Sequence, residues 1–237
     1  MSGRPSPAGA GAGSLPNRAV CEQCLSLHPV EPNGKEDHRL RTGLRALCLL
    51  AGLAASSPAA AGDWKPVEKI VTYAISGRTG IELYRSIGEN GPKIGVGRAI
   101  AYTDFDLKWS RNYVPERGGC TLAAARPHLV ITYRLPKPKG TLPPETRPRW
   151  KRFIDGIEKH ERVHGALIVE LVEQIEAVSV GLRTENDPKC RKIRAELTEK
   201  LAALSQEQRR KSREFDRVEM SQGGNVQQLV LALVNGG

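Results

Sequence analysis

The sequence predicts an α+β fold in which a small strand-rich N-terminal half packs on a C-terminal antiparallel helical hairpin. Three observations carry that expectation. Residues 64–135 alternate between β-rich runs and turn signals. Residues 136–149 read as a linker, because Pro136-Lys137-Pro138 and Pro143-Pro144 continue neither a helix nor a central strand. Beyond them, two long stretches repeat apolar residues every three or four positions, the stripe of an amphipathic helix.

Residues 1–61 read as a leader. The first 19 are rich in Gly, Pro, Ser and Ala and carry no periodicity. Arg39, Arg41 and Arg45 then lead into an apolar run from Ala46 to Ala55, and Ser-Ser-Pro-Ala-Ala-Ala ends at Ala61. A basic region, a short apolar core and a small-residue cleavage site make a secretory signal, too short to span a bilayer. The stretch ahead of the apolar core is long for a signal and points to a translation start nearer residue 35. A rival reading makes Cys21-x-x-Cys24, with His28 and His38, a small zinc knot, although the spacing is irregular for one.

Cleavage after Ala61 leaves 176 of the 237 residues, enough for one domain with a real core. It also removes six basic and four acidic residues, so the net charge falls from +10 to +8. The remaining positive charges are scattered among acids without interleaved aromatics. That pattern fits a solvated basic surface and no nucleic-acid site. Of five cysteines only Cys120 and Cys190 stay, an even number in an exported chain. One disulfide between them is the simplest expectation; two buried thiols are the alternative.

Residues 62–223 form the expected single domain. Val67 to Ile75, Ala99 to Trp109 and His128 to Leu135 are strand-like, and Thr79 to Ile87 is a short helix ended by Gly88. Asn90-Gly91-Pro92 is a turn. A first long helix covers 145–182, broken by Gly181 and Asn186-Asp187-Pro188. A second runs from about Pro188 to about Val218. Joined by a short connection, the two should pack antiparallel. Residues 224–237 read as a divergent C-terminal tail with an apolar run from Leu229 to Val234. No membrane-spanning segment is expected in the mature chain.

The first long helix carries His160-Glu161-Arg162-Val163-His164. Two His four apart on a helix project from one face and can reach one metal ion. Glu161 sits beside them, where a general base would hold a water. The trio falls in the gap of an apolar stripe, between Ile157 and Leu167, and so on the inward face, where a polar residue needs a reason to be. Two packed, hydrogen-bonded core His are the bland reading; an acid beside them on the same face favours zinc. A catalytic zinc takes three protein ligands. His128 reads as an ordinary strand residue, and Glu173 and Glu176 lie more than two turns away. The end of the second helix offers Glu214, Asp216 and Glu219, with Asp216 preferred and Glu219 the alternative.

An ordered set of residues resembles a bacterial family of predicted secreted zinc-dependent proteases, domain of unknown function 922. The set is Thr72-Tyr73-Ala74-Ile75-Ser76-Gly77, Glu82-Leu83, Gly91-Pro92, Ala101-Tyr102-Thr103, Trp109, Cys120, Leu135-Pro136, Trp150, Phe153, the H-E-x-x-H motif and Cys190. It covers roughly residues 64–219. The resemblance implies an exported metallopeptidase with a zincin-like arrangement, His160 and His164 as zinc ligands, Glu161 as base, and a peptide or protein substrate of undefined sequence. In that family the second helix ends in an aromatic–Asp pair followed shortly by His-Gly. Phe215-Asp216 matches the pair; Met220-Ser221-Gln222-Gly223 stands in place of the His-Gly. Two function classes follow. One is an exported zinc hydrolase in which the metal acidifies water and polarises the scissile carbonyl while Glu161 takes the proton. The other is a non-catalytic cell-envelope binding or scaffold protein with a degenerate metal site.

Overall fold

The structure, a computed structural model, describes residues 63–235. The leader, with its signal and its Cys21/Cys24 alternative, lies outside them. The order of elements is β1 (Val67–Ile75), α1 (Gly80–Asn90), β2 (Lys93–Ile94), β3 (Gly97–Arg98), β4 (Tyr102–Glu116), β5 (Gly119–Pro138), α2 (Arg147–Ser179), β6 (Arg183–Thr184), α3 (Lys192–Met220) and α4 (Asn225–Asn235). The expected α+β class holds, with a strand-rich N-terminal half and long helices in the C-terminal half.

The main sheet has the order β1-β5-β4. β1 runs parallel to β5 and β4 antiparallel to it. β4 and β5 form one long ribbon, from Tyr102↔Arg134 to Glu116↔Gly119. Its turn is Arg117-Gly118, both at positive φ (45° and 80°), the two-residue conformation that matches the twist of a hairpin. The ribbon is longer than the sequence suggested. The segment between Trp109 and His128 holds Pro115, Pro127 and a glycine pair, which read as breaks. They are tolerated because β4 has no second neighbour among the described residues, and β1 pairs with β5 only from Val130 onward.

The proposed linker at Pro136-Lys137-Pro138 is corrected in the same way: these residues end β5, paired with Tyr73 to Ile75. β4 leaves β5 after Arg134, so one edge of β5 is open there. The Lys139 N–H donates to the Ile75 carbonyl (2.8 Å). Successive N–H groups alternate between edges, so Pro136 and Pro138 turn their missing donors to the open side, where nothing is lost.

α1 starts with a capping box: Glu82 N–H donates to Thr79 Oγ1 (3.4 Å) and Thr79 N–H to Glu82 Oε2 (3.2 Å). α2 is the central helix. It packs on β5, on α3 and on α4. Phe153 and Ile157 join Ile75, Leu83, Ile87 and Leu135 in the main core. Further along α2, Ile168 and Val172 pack on Leu129, Ile131 and Tyr133 of β5.

Within the tail, α4 packs into this core. Val226, Leu229 and Leu233 of α4 are buried in the same cluster as Leu83 and Phe153. Their spacing of three and four is a helical stripe. At the other end, Cys120 and Cys190 form a disulfide across a separation of 70 residues, embedded with Leu122, Ile193 and Leu197. Asp187 fastens the start of α3, accepting from the N–H groups of Arg191 (2.7 Å) and Ile193 (3.0 Å). No helix among the described residues is long and apolar enough to cross a membrane.

Candidate metal and catalytic site

α2 and α3 run antiparallel, so the last turns of α3 lie against the middle of α2. That brings Asp216 onto the two His of the motif. The Asp216 Oδ1 atom is 2.9 Å from His164 Nε2 and 3.2 Å from His160 Nε2, and the two Nε2 atoms are 3.2 Å apart. His160 and Asp216 are almost fully buried. Three donor atoms thus make a nearly equilateral triangle. Ligands at 2.0–2.1 Å in a tetrahedron are about 3.3 Å apart, so the triangle is close to one face of a zinc tetrahedron. Neutral imidazole and carboxylate donors suit that ion. These three are the residues in the described structure that could jointly hold a metal.

The two imidazoles are fixed from behind. Phe215 stacks on His160 (centroids 4.7 Å apart, planes at 21°) and meets His164 edge-on (5.5 Å, 77°). His164 Nδ1 lies 3.4 Å from Ser212 Oγ, which itself accepts from Gln208 Nε2 (3.1 Å). A proton on Nδ1 shared with Ser212 leaves Nε2 free to act as a ligand. His160 Nδ1 is buried without a hydrogen bond; Glu219 Oε2 is its facing carboxylate at 3.7 Å. Glu219 therefore sits behind the ligand ring, in the position of an outer carboxylate, and not among the converging donors. Glu214 is excluded: it is exposed and paired with Arg217 on the opposite side of α3 (2.9 Å). His128 is an exposed residue of β5 opposite Lys108.

Glu161 is buried beside the triangle. Its carboxyl is raised above the usual range, first by burial and also by the Asp216 charge; the Thr103 hydrogen bond and the charges of His164 and His160 act the other way. Thr103 Oγ1 is 2.6 Å from Glu161 Oε2 and 3.1 Å from the Glu161 carbonyl. A threonine of β4 thus orients the carboxylate. A raised carboxyl pKa moves a base toward neutral working pH.

The motif helix can lie this close to the sheet because residue 165 is glycine. A Cβ there would be 2.2 Å from the Tyr133 hydroxyl. Tyr133 donates to Glu68 (2.8 Å), and the Arg162 guanidinium covers its ring at 4.3 Å. The site opens into a cleft of about 430 Å³ between β4 on one side and α3 on the other, with His160, Glu161 and His164 along its floor.

A family model described as "Bacterial protein of unknown function (DUF922)" matches residues 70–224. The chain belongs to this family. No curated protein and no solved structure matches it. The family match ends one residue before α4, the helix that completes the core of this DUF922 member. In place of the expected His-Gly, Met220 lines the cleft and Ser221 caps α3.

Thr103, Ser212 and Gln208 were not singled out by the motif. Gln208, Ser212 and Asp216 are spaced by four within a stretch that interrupts the apolar stripe of α3. That polar row on an otherwise inward face was the available signal. Thr103 stood in the set that carries the family resemblance, but nothing tied it to the motif, since only folding brings β4 to α2.

Proposed function

We propose that this protein is an exported zinc-dependent metallopeptidase with a zincin-like active site. The carrying observation is the convergence of His160 Nε2, His164 Nε2 and Asp216 Oδ1 within 3.2 Å of one another, with buried Glu161 alongside. His160, His164 and Asp216 would hold one zinc ion. Zinc bound there supplies Lewis acidity, acidifying water toward a pKa of about 7 and polarising a carbonyl. Glu161 accepts the proton of the attacking water and is placed to return it to the leaving amine. Thr103 keeps the carboxylate aimed at the cleft. The outer edge of β4 is unpaired among the described residues and flanks the cleft. An extended peptide main chain can add to such an edge as a further strand, which favours peptide bonds over other acyl substrates. The Cys120–Cys190 bond supports action outside the cytoplasm, since such bonds persist in oxidising compartments.

The test combines metal content with hydrolysis of a mixed peptide library. The purified protein should carry one zinc per chain and cut peptides. Glu161→Gln should keep the zinc and lose activity by about 10²- to 10⁴-fold, the usual weight of a positioned base. Undiminished activity in Glu161→Gln would place the base elsewhere. A wild-type chain that takes up no zinc and cuts nothing would leave the non-catalytic scaffold reading.

A further inference from the structure

The cations of α3 divide into two sets. Lys200 pairs with Glu196, Arg210 with Glu207, Lys211 with Glu170, and Arg217 with Glu214. From Lys200 to the end of α3 that leaves Arg209 and Arg213, and neither has an ion pair or hydrogen bond among the described residues. These two are also the cations that line the cleft. Arg209, Arg213 and Asp216 follow one another at spacings of four and three, the arrangement that places residues along one side of a helix. Among the described residues, the acids on the cleft wall are Glu161 and Asp216, both engaged at the site. The wall that α3 gives the cleft therefore carries two arginines that form no ion pair among the described residues.

We propose that Arg209 and Arg213 form a specificity subsite that binds an acidic side chain of the substrate, close to the bond that is cut. This inference rests on the peptidase reading and narrows its substrate class. Along the helix axis, Arg213 lies about 4.5 Å and Arg209 about 10.5 Å from Asp216, at a rise of 1.5 Å per residue. An extended peptide advances about 3.3 Å per residue. For a peptide laid along α3, the two arginine positions thus span about the first three residues on one side of the scissile bond. A guanidinium is always charged and meets a carboxylate with two parallel N–H donors. An Asp or Glu at one of those positions gains a charge-assisted contact that a neutral residue lacks, and a Lys or Arg meets repulsion.

The experiment has two arms. In the first, the full chain loaded with zinc digests a library of peptides, and the cut sites are read by mass spectrometry. Asp or Glu should be enriched by about tenfold at one position within three residues of the cut, all on one side, in keeping with one charge-assisted hydrogen bond. Arg209→Ala/Arg213→Ala should bind zinc as the wild type does and lose the enrichment; Arg209→Glu/Arg213→Glu should favour Lys and Arg at that position. In the second arm, fluorescence anisotropy measures the binding of labelled peptides that differ only by Glu, Gln or Lys, using Glu161→Gln with and without the two arginines. Glu peptides should bind best, and only while Arg209 and Arg213 are present. Cleavage without an acidic preference would overturn this subsite and leave the peptidase reading intact. Arginine-dependent binding of Glu peptides without any cleavage would sustain the subsite and overturn the peptidase reading. Equal binding of all three peptides would overturn the subsite whatever the activity.

Discussion

Where α2 ends and α3 begins, the chain is held by the Cys120–Cys190 bond, by a dry cluster of Leu122, Ile193 and Leu197, and by Asp187 gripping backbone N–H groups. About four to seven turns further along the same pair of helices, the inward positions are His160, Glu161, His164, Ser212 and Asp216. The first end contains what a fold uses to stay closed. The second buries carboxylates and imidazoles, groups that cost free energy inside a protein unless a partner compensates them. The stability of this hairpin is therefore uneven. The locked end keeps the chain closed, while the other end holds an arrangement that is unfavourable without a partner.

Removing the lock should give the largest effect on stability. In the chain-entropy description a loop of 70 residues is worth about 4 kcal/mol. Cys120→Ser/Cys190→Ser should lose up to that amount in denaturant unfolding while still binding zinc under native conditions. A loss of zinc binding before unfolding would mean that the two ends are coupled directly and that the division drawn above is wrong.

At the other end, stability should come from outside. Zinc at about 100 times its dissociation constant should stabilise the wild type by about 2.7 kcal/mol, because it binds the folded chain alone. His160→Ala and His164→Ala should abolish that gain, and Asp216→Asn should remove most of it. Glu219→Gln should weaken zinc binding by about 10- to 100-fold, the usual effect of an outer partner. Calorimetric titration of the four variants orders them. If Glu219→Gln proved as damaging as His160→Ala, the geometry would have assigned the third donor to the wrong carboxylate.

How much of this was legible in the sequence follows from which contacts are local. The two His and the Glu lie within five residues, so helix geometry alone put them on one face. Asp216 could be narrowed to a group of three because an antiparallel partner helix must return past the motif. Asp216 was preferred there, with Glu219 the alternative; placing them by geometry needed the rotational phase of α3, which its polar row obscured. The β4–β5 ribbon was half hidden: Pro115, Pro127, Pro136 and Pro138 are strand breakers by local rules and harmless only where an edge is open, which is a property of the sheet. α4 was hidden differently. Its stripe of Val226, Leu229 and Leu233 is readable, but that it completes a core with α1 and α2 appears only on folding.

Between the two ends, the motif helix meets the sheet at Gly165, and the smallest predicted effect tests that contact. A methyl group at this position would fall 2.2 Å from the Tyr133 hydroxyl and 3.0 Å from the ring carbon that bears it. Tyr133 cannot swing away freely, since it is almost fully buried, donates to Glu68 and lies under Arg162. Overpacking of this kind costs about 1–3 kcal/mol. Alanine returns up to about 1 kcal/mol through its better helix propensity. Gly165→Ala should therefore destabilise the chain by about 1–2 kcal/mol and reduce zinc affinity, because His164 is the adjacent residue and shifts with the helix. Gly165→Ala/Tyr133→Phe should recover part of both losses, since it removes the closer of the two contacts. A recovery of stability without zinc affinity would show that the helix had settled in a new position. No loss in Gly165→Ala would mean that the helix and sheet are not as tightly apposed as the geometry requires, and that the ligand triangle is not held by the sheet.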